Sequence, residues 1–139
     1  MANYSDFNIT LTGNPFELRA FYDEFNTLTP WHFNISELYD GSFTHEPPTL
    51  HLSGSGRWGV DINGIVELAN THKLSGEVVD TESGSDFFIH IELEDGEITY
   101  SCNTGYMSDE HAEWLNDPQF WSEAYDYALE EPTEYPEVI

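Results

Sequence analysis

The segment from Phe87 to Cys102 restricts the fold more than any other stretch. Phe87, Ile89, Ile91 and Leu93 alternate with Phe88, His90, Glu92 and Glu94, and a two-residue period marks a strand with one buried face. Asp95-Gly96 follows, a dipeptide suited to the positive φ angles of a type I′ turn. The return strand carries Ile98, Tyr100 and Cys102, which the same period places on the buried face. Such a hairpin belongs to an antiparallel sheet, and its register sets Glu94 opposite Glu97, a like-charge neighbour pair.

The remaining elements can be read around that hairpin. Phe7, Ile9 and Leu11 alternate with Asn8, Thr10 and Thr12 as a first strand ending at Gly13. Asn14, Pro15 and Glu17 form a helix start, and Leu18, Phe21, Tyr22 and Phe25 then recur at core-facing helical spacing. Pro30, Gly41, Pro47 and Pro48 interrupt the next stretch, leaving at most a short strand at Trp31, Phe33 and Ile35. Leu50 and Leu52 point inward on another strand, and a glycine-rich turn, Gly54 to Gly59, leads to Asp61 as a helix cap. Ile62, Ile65, Val66 and Ala69 mark a second amphipathic helix that ends at His72 and Lys73. Leu74 to Thr81, with Val78 and Val79, is a further strand before a turn at Ser83 to Ser85.

The order is β-α-(β)-β-α-β-β-β with a helical tail. It predicts an α+β fold, a ferredoxin-like split β-α-β sheet with two amphipathic helices on one face and a C-terminal acidic helical extension. A length of 139 residues suits a single domain, 1–139, with a core over 1–103 and the acidic tail over 104–139.

Charge is the second strong feature. Three basic residues, Arg19, Arg57 and Lys73, face 27 acidic ones, for a net charge of −24. Nine of the acids precede Leu74, while 18 follow it without a Lys or Arg among them. From Ser108 to Glu137 an apolar stripe of Ala112, Leu115, Trp121, Ala124, Tyr125, Ala128 and Leu129 predicts a helical face that packs. The opposite face presents anions. Glu123, Asp126 and Glu130 fall at i, i+3 and i+7, where like charges repel along the helix axis. The candidate partner-binding acids are therefore Asp109, Glu110, Glu113, Asp117, Glu123, Asp126, Glu130 and Glu131 of the tail, with Glu92, Glu94, Asp95 and Glu97 of the hairpin. Trp114, Phe120 and Tyr127 stand beside them as candidate apolar anchors, although each is more often a core residue.

Other chemistries find less support. Cys102 is the one cysteine, so an internal disulfide and a multi-cysteine zinc site are excluded. Gly54-Ser55-Gly56-Arg57-Trp58-Gly59, with Asp80 downstream, satisfies the dinucleotide fingerprint formally, but the chain is short for that fold and its charge opposes a pyrophosphate. Asp80, Glu82, Gly84 and Asp86 have a partial calcium-loop rhythm with Ile91 where a bidentate Glu is needed. His90 with Glu92, and Asp109 with Glu110 and His111, are acid and histidine neighbours without paired ligand spacing. No nucleophile motif occurs, and no catalytic residue, metal or cofactor is expected. No apolar run reaches the ~18 residues of a membrane span, and the amino terminus lacks a secretory pattern. A soluble, cytoplasmic protein is the expectation.

The strand and turn Asn8-Ile9-Thr10-Leu11-Thr12-Gly13, the first helix, the strand Leu52 to Trp58 before the second helix, and the strands through Asp95-Gly96 resemble the YubB-like ferredoxin-like domains carried by phages and plasmids. The resemblance covers residues 4–102 and implies a fold and a mobile-element origin. In charge and size the chain is also similar to the acidic, DNA-mimicking anti-restriction and anti-CRISPR proteins of phages.

Three explanations of the acidic surface follow: a solubilising coat, halophilic adaptation, or recognition of a basic groove that normally holds nucleic acid. The near-elimination of Lys and Arg favours the third over the first. High aromatic content and numerous asparagines count against the second. The expected function is a stoichiometric phage- or mobile-element-encoded inhibitor of a basic nucleic-acid-binding host protein, first a CRISPR effector. The alternative is a non-inhibitory acidic accessory or halophile-adapted protein.

Overall fold

In a computed structural model, residues 4–28 and 33–115 are described. They form β1 (Tyr4–Thr12), α1 (Pro15–Leu28), β2 (Ile35–His45), β3 (Pro48–Arg57), α2 (Ile62–Thr71), β4 (Ser75–Glu82), β5 (Phe87–Glu94), β6 (Glu97–Thr104) and α3 (Asp109–Leu115). The strands make one open six-stranded sheet in the order β2-β3-β1-β4-β5-β6. Every neighbouring pair is antiparallel. The architecture is α+β.

Helix starts follow local chemistry. Asn14 Oδ1 accepts the N–H groups of Phe16 at 2.8 Å and Glu17 at 3.4 Å, satisfying donors that the first turn of α1 leaves open. Asp61 does the same for α2 by accepting the Gly64 N–H at 3.1 Å.

Phe7, Ile9 and Leu11 of β1 and Leu50 and Leu52 of β3 pack against Leu18, Phe21 and Phe25 of α1 and Ile65 and Ala69 of α2. Phe25 stacks on Phe33 at 5.5 Å and on Phe21 at 5.9 Å, so much of this core is aromatic. His72, just after α2, reaches Glu17 at 3.0 Å and Glu24 at 3.2 Å on α1, tying the two helices together. Val79 follows core-facing Val78 in β4 and so points to the other face of the sheet. There it packs with Phe88 and Trp114. Helices α1 and α2 share one face, and α3 lies on the other.

Three expectations need correction. The glycine-rich turn begins later than expected, because β3 runs to Arg57. Gly54 lies opposite Phe7 in the ladder, and a Cβ there would sit 2.8 Å from the Phe7 ring. Its glycine makes room for a core aromatic. The stretch before Pro48, expected to be mostly irregular, holds the eleven-residue β2. Register shifts at Ile35/Glu37 and Leu38/Asp40 break the two-residue period that would have revealed it. Trp31 lies outside the described residues.

The hairpin is present, with φ of 50° at Asp95 and 84° at Gly96 and Glu94 opposite Glu97. Its return strand differs. Ile98 faces Leu93, but Tyr100 faces Glu92 and Cys102 faces His90, so the extra residue Thr99 is a bulge that moves Tyr100 and Cys102 to the α3 face. Ile98 and Tyr100 are exposed, whereas Phe88, assigned outward by strict alternation, is buried. The helix expected from Ser108 to Glu137 is present where it is described, over Asp109–Leu115. Its later stripe, with Trp121, Ala124, Tyr125, Ala128 and Leu129, lies outside the described residues.

Candidate interaction surface

Strand register builds a polar row across the α3 face. Ser42, His51, Thr10, Glu77, Glu92 and Tyr100 are successive cross-strand partners from β2 to β6. A parallel row runs through Asp40, Ser53, Asn8, Val79, His90 and Cys102. Since residues two apart along a strand share a face, the α1/α2 side of the same strands holds the main apolar core, with Asp80 and Glu82 buried in it, and this side carries the more exposed charges.

At the β5–β6 end the row is anionic and aromatic. Glu77 lies opposite Glu92, a second like-charge cross-strand pair. Glu77 Oε2 accepts the Trp114 indole N–H at 3.3 Å and stands 2.7 Å from His90 Nε2, a close approach off the hydrogen-bond direction. His90 packs edge-on against Tyr100 at 5.5 Å. The Tyr100 phenol is held above its ordinary range chiefly by its hydrogen bond with Cys102, then by desolvation and the Cys102 charge, with Glu110 and Glu92 adding least. Glu92 is the cross-strand partner of Tyr100, and exposed Glu110 lies in the first turn of α3, the helix on the same face.

Helix α3 is fixed there by its own first turn. Ser108 Oγ accepts the His111 N–H at 3.3 Å, and His111 Nδ1 accepts the Met107 N–H at 2.7 Å. Asp86 Oδ1 accepts the Tyr106 N–H at 3.0 Å, anchoring the preceding loop. Burial lowers the His111 pKa, consistent with a ring nitrogen used as an acceptor. Asp109, Glu110 and Glu113 remain exposed, the first two beside a helix N-terminus that favours negative charge.

Of the acids expected from sequence, Glu92, Glu94, Asp95, Glu97, Asp109, Glu110 and Glu113 are all exposed. Asp117, Glu123, Asp126, Glu130 and Glu131 lie outside the described residues, as do the anchor candidates Phe120 and Tyr127. Trp114 is a core residue of the α3 face and no surface anchor. Tyr100 and Glu77 were missed; finding Tyr100 required knowing of the Thr99 bulge.

The other candidate sites separate. Asp80, offered as a ribose or calcium ligand, is fully buried on the α1/α2 face and accepts the Val60 N–H at 2.9 Å, fastening the loop before α2. Burial raises its pKa to about 6, the neighbouring Glu82 and Asp6 add to that rise, and hydrogen bonds from Ser5 and Val60 oppose it. Asp80 Oδ1 and both Glu82 carboxylate oxygens are buried without a hydrogen-bond partner. Asp86 is spent on Tyr106. Among the described residues, no three His, Cys, Asp or Glu side chains are arranged to hold a metal ion. No helix among them is long and apolar enough to cross a membrane. The chain matches no family model, no curated protein and no solved structure.

Proposed function

We propose that this protein is a stoichiometric, non-catalytic inhibitor of phage or mobile-element origin, acting in the host cytoplasm. Its acidic surface occupies the nucleic-acid channel of a host defence complex, an RNA-guided CRISPR effector in the first instance. A restriction enzyme, recombination nuclease or other DNA-binding protein is the next target class. In the same reading, β1 to β4 with α1 and α2 form a ferredoxin-like split β-α-β unit, to which β5 and β6 are added at the β4 side.

The observation that carries the reading is repeated like-charge pairing across the sheet, with no Lys or Arg set against it. Glu77 faces Glu92 and Glu94 faces Glu97, and no Lys or Arg follows Lys73. Like charges directly opposite destabilise a sheet, so a cationic partner that relieves them on contact gains free energy from the same geometry. Basic grooves are built to meet a duplex carrying one charge per ~1.7 Å of axis. Carboxylates at every second strand residue, ~6.6–6.8 Å apart, give such grooves an anionic ladder. Encounter is then steered at low salt and slowed by added salt.

The test is displacement of labelled target DNA from a purified RNA-guided effector, alongside capture from host lysate with and without competing DNA. The parent should displace DNA and lose the effect as salt rises. A folded variant carrying Glu92→Lys, Glu94→Lys and Glu97→Lys should not. Equal displacement by that variant would refute the proposal.

A further inference from the structure

Among the described residues the sheet has two outer strands, β2 and β6, and they are built differently. A free edge exposes unpaired N–H and C=O groups, which proteins commonly protect with bulges, Pro, Lys or a covering element. β2 is interrupted by two register shifts. β6 has its single irregularity at Thr99, and from Tyr100 to Thr104 it runs unbroken against Phe88 to Glu92. No Lys or Pro occurs in it. Ile98 and Tyr100 are 53% and 41% exposed, although a two-stranded edge of this kind usually hides such side chains.

Beside β6, on the α1/α2 face, lies an open groove of about 420 Å³ between the start of α2 and the last two strands. Ile62, Ile89 and Ile91 give it an apolar floor, and Asp61, Ser101 and Asn103 a polar rim. On the opposite face Glu92 of β5 pairs with Tyr100, and exposed Glu110 stands in the first turn of α3, the helix packed on that face.

We propose that β6 is a docking edge, along which an extended, cationic segment of a partner protein adds as a seventh strand over Tyr100–Thr104. Backbone pairing supplies the register. Alternate side chains of the incoming strand fall on opposite faces, so apolar ones enter the Ile89/Ile91 groove and Lys or Arg ones meet Glu92 and Glu110. The inference rests on the reading above that the partner is a basic protein, and it specifies one contact that partner makes. Charge selects the occupant. A second copy, at −24 per chain, and a nucleic acid strand are both repelled by the net charge.

The experiment follows backbone amide hydrogen exchange in the full chain, using short synthetic peptides of alternating valine and lysine, or valine and glutamate, as probes. With the lysine peptide at ten times its dissociation constant, the outward amides of Tyr100–Thr104 should exchange about tenfold more slowly, with β2 unaffected. The glutamate peptide should have no effect. Ser101→Lys with Asn103→Lys, exposed changes that leave near-UV circular dichroism unaltered, should remove the protection. Lysine-peptide contacts confined to α3 or the Asp95 turn would overturn the proposal, as would protection of β6 that appears without peptide and grows with protein concentration. The acidic-surface reading fails separately, by absence of DNA displacement; β6 protection without displacement would sink that reading and keep the docking edge.

Discussion

Phe88 of β5 and His111 of α3 stack face to face, with ring centroids 4.7 Å apart and planes within 13°. Trp114 leans on the same phenyl ring at 5.9 Å. Through this ring α3 gains its purchase on the sheet, and with it Asp109, Glu110 and Glu113 are held on that face.

Phe88→Ala should therefore cost about 3–5 kcal/mol, as expected for a buried aromatic truncated to a methyl group. The loss is local first. The Trp114 indole N–H resonance, held by Glu77, should broaden or shift at denaturant concentrations where the α1/α2 core signals are still native. Coincident loss of both sets of signals would show that α3 is not separable from the main core.

Much of this fold was legible where one physical signal dominated. Asn14 and Asp61 announce α1 and α2 because a side-chain acceptor at a helix start has a single efficient use. Asp95-Gly96 announces its turn for the equally local reason that both residues must adopt positive φ. What stayed hidden depends on partners distant in sequence. The bulge at Thr99 is set by pairing, and one extra residue reverses which side chains of β6 face α3. Gly54 reads as a turn residue until Phe7 is found opposite it. The acidic surface was visible as composition, but the pairing of Glu92 with Tyr100 required the register.

Gly54→Ala should destabilise the protein by about 1–3 kcal/mol, the usual range for overpacking a filled core. The new methyl group meets both the Phe7 ring and the Glu37 carbonyl oxygen, and neither sits at the end of a flexible chain. Chemical denaturation measures the loss. A neutral result would mean that β2 and β3 separate more easily than their ladder implies.

Two buried groups set opposing pH dependences. Asp80 keeps its proton in the fold up to about pH 6 against an ordinary value of 3.8, so between those values the unfolded chain binds fewer protons and stability falls as pH rises. His51 titrates at about 4 in the fold against 6.5, because burial outweighs the favourable charge of Glu77. In its window the unfolded chain binds more protons, and stability rises with pH. From about pH 4 to 6 the two slopes oppose. Asp80→Asn keeps an acceptor for the Val60 N–H and gives Glu82 a donor. At pH 7 it should be more stable than the parent by up to about 3 kcal/mol, with stability that climbs until about pH 6.5. His51→Gln should show the reverse, a decline towards pH 6. Urea midpoints across this range decide it, and parallel profiles for all three proteins would contradict the assignment.

Glu97→Lys separates stability from function at one position. Glu97 faces Glu94 in the last pair before the turn and accepts a long, exposed hydrogen bond from Asn70 Nδ2 at 3.3 Å, so reversing its charge gives up that weak bond and replaces a repulsion with an attraction worth about 0.2–1 kcal/mol. If the acidic surface served solubility alone, that gain would come without loss of any binding. A surface kept anionic for a cationic partner behaves differently: the variant should be more stable in urea, displace DNA less well from the effector, and show a shallower salt dependence because one favourable charge has become unfavourable. A variant that gains stability and displaces DNA as the parent does would assign the Glu94–Glu97 repulsion to a cause other than the partner.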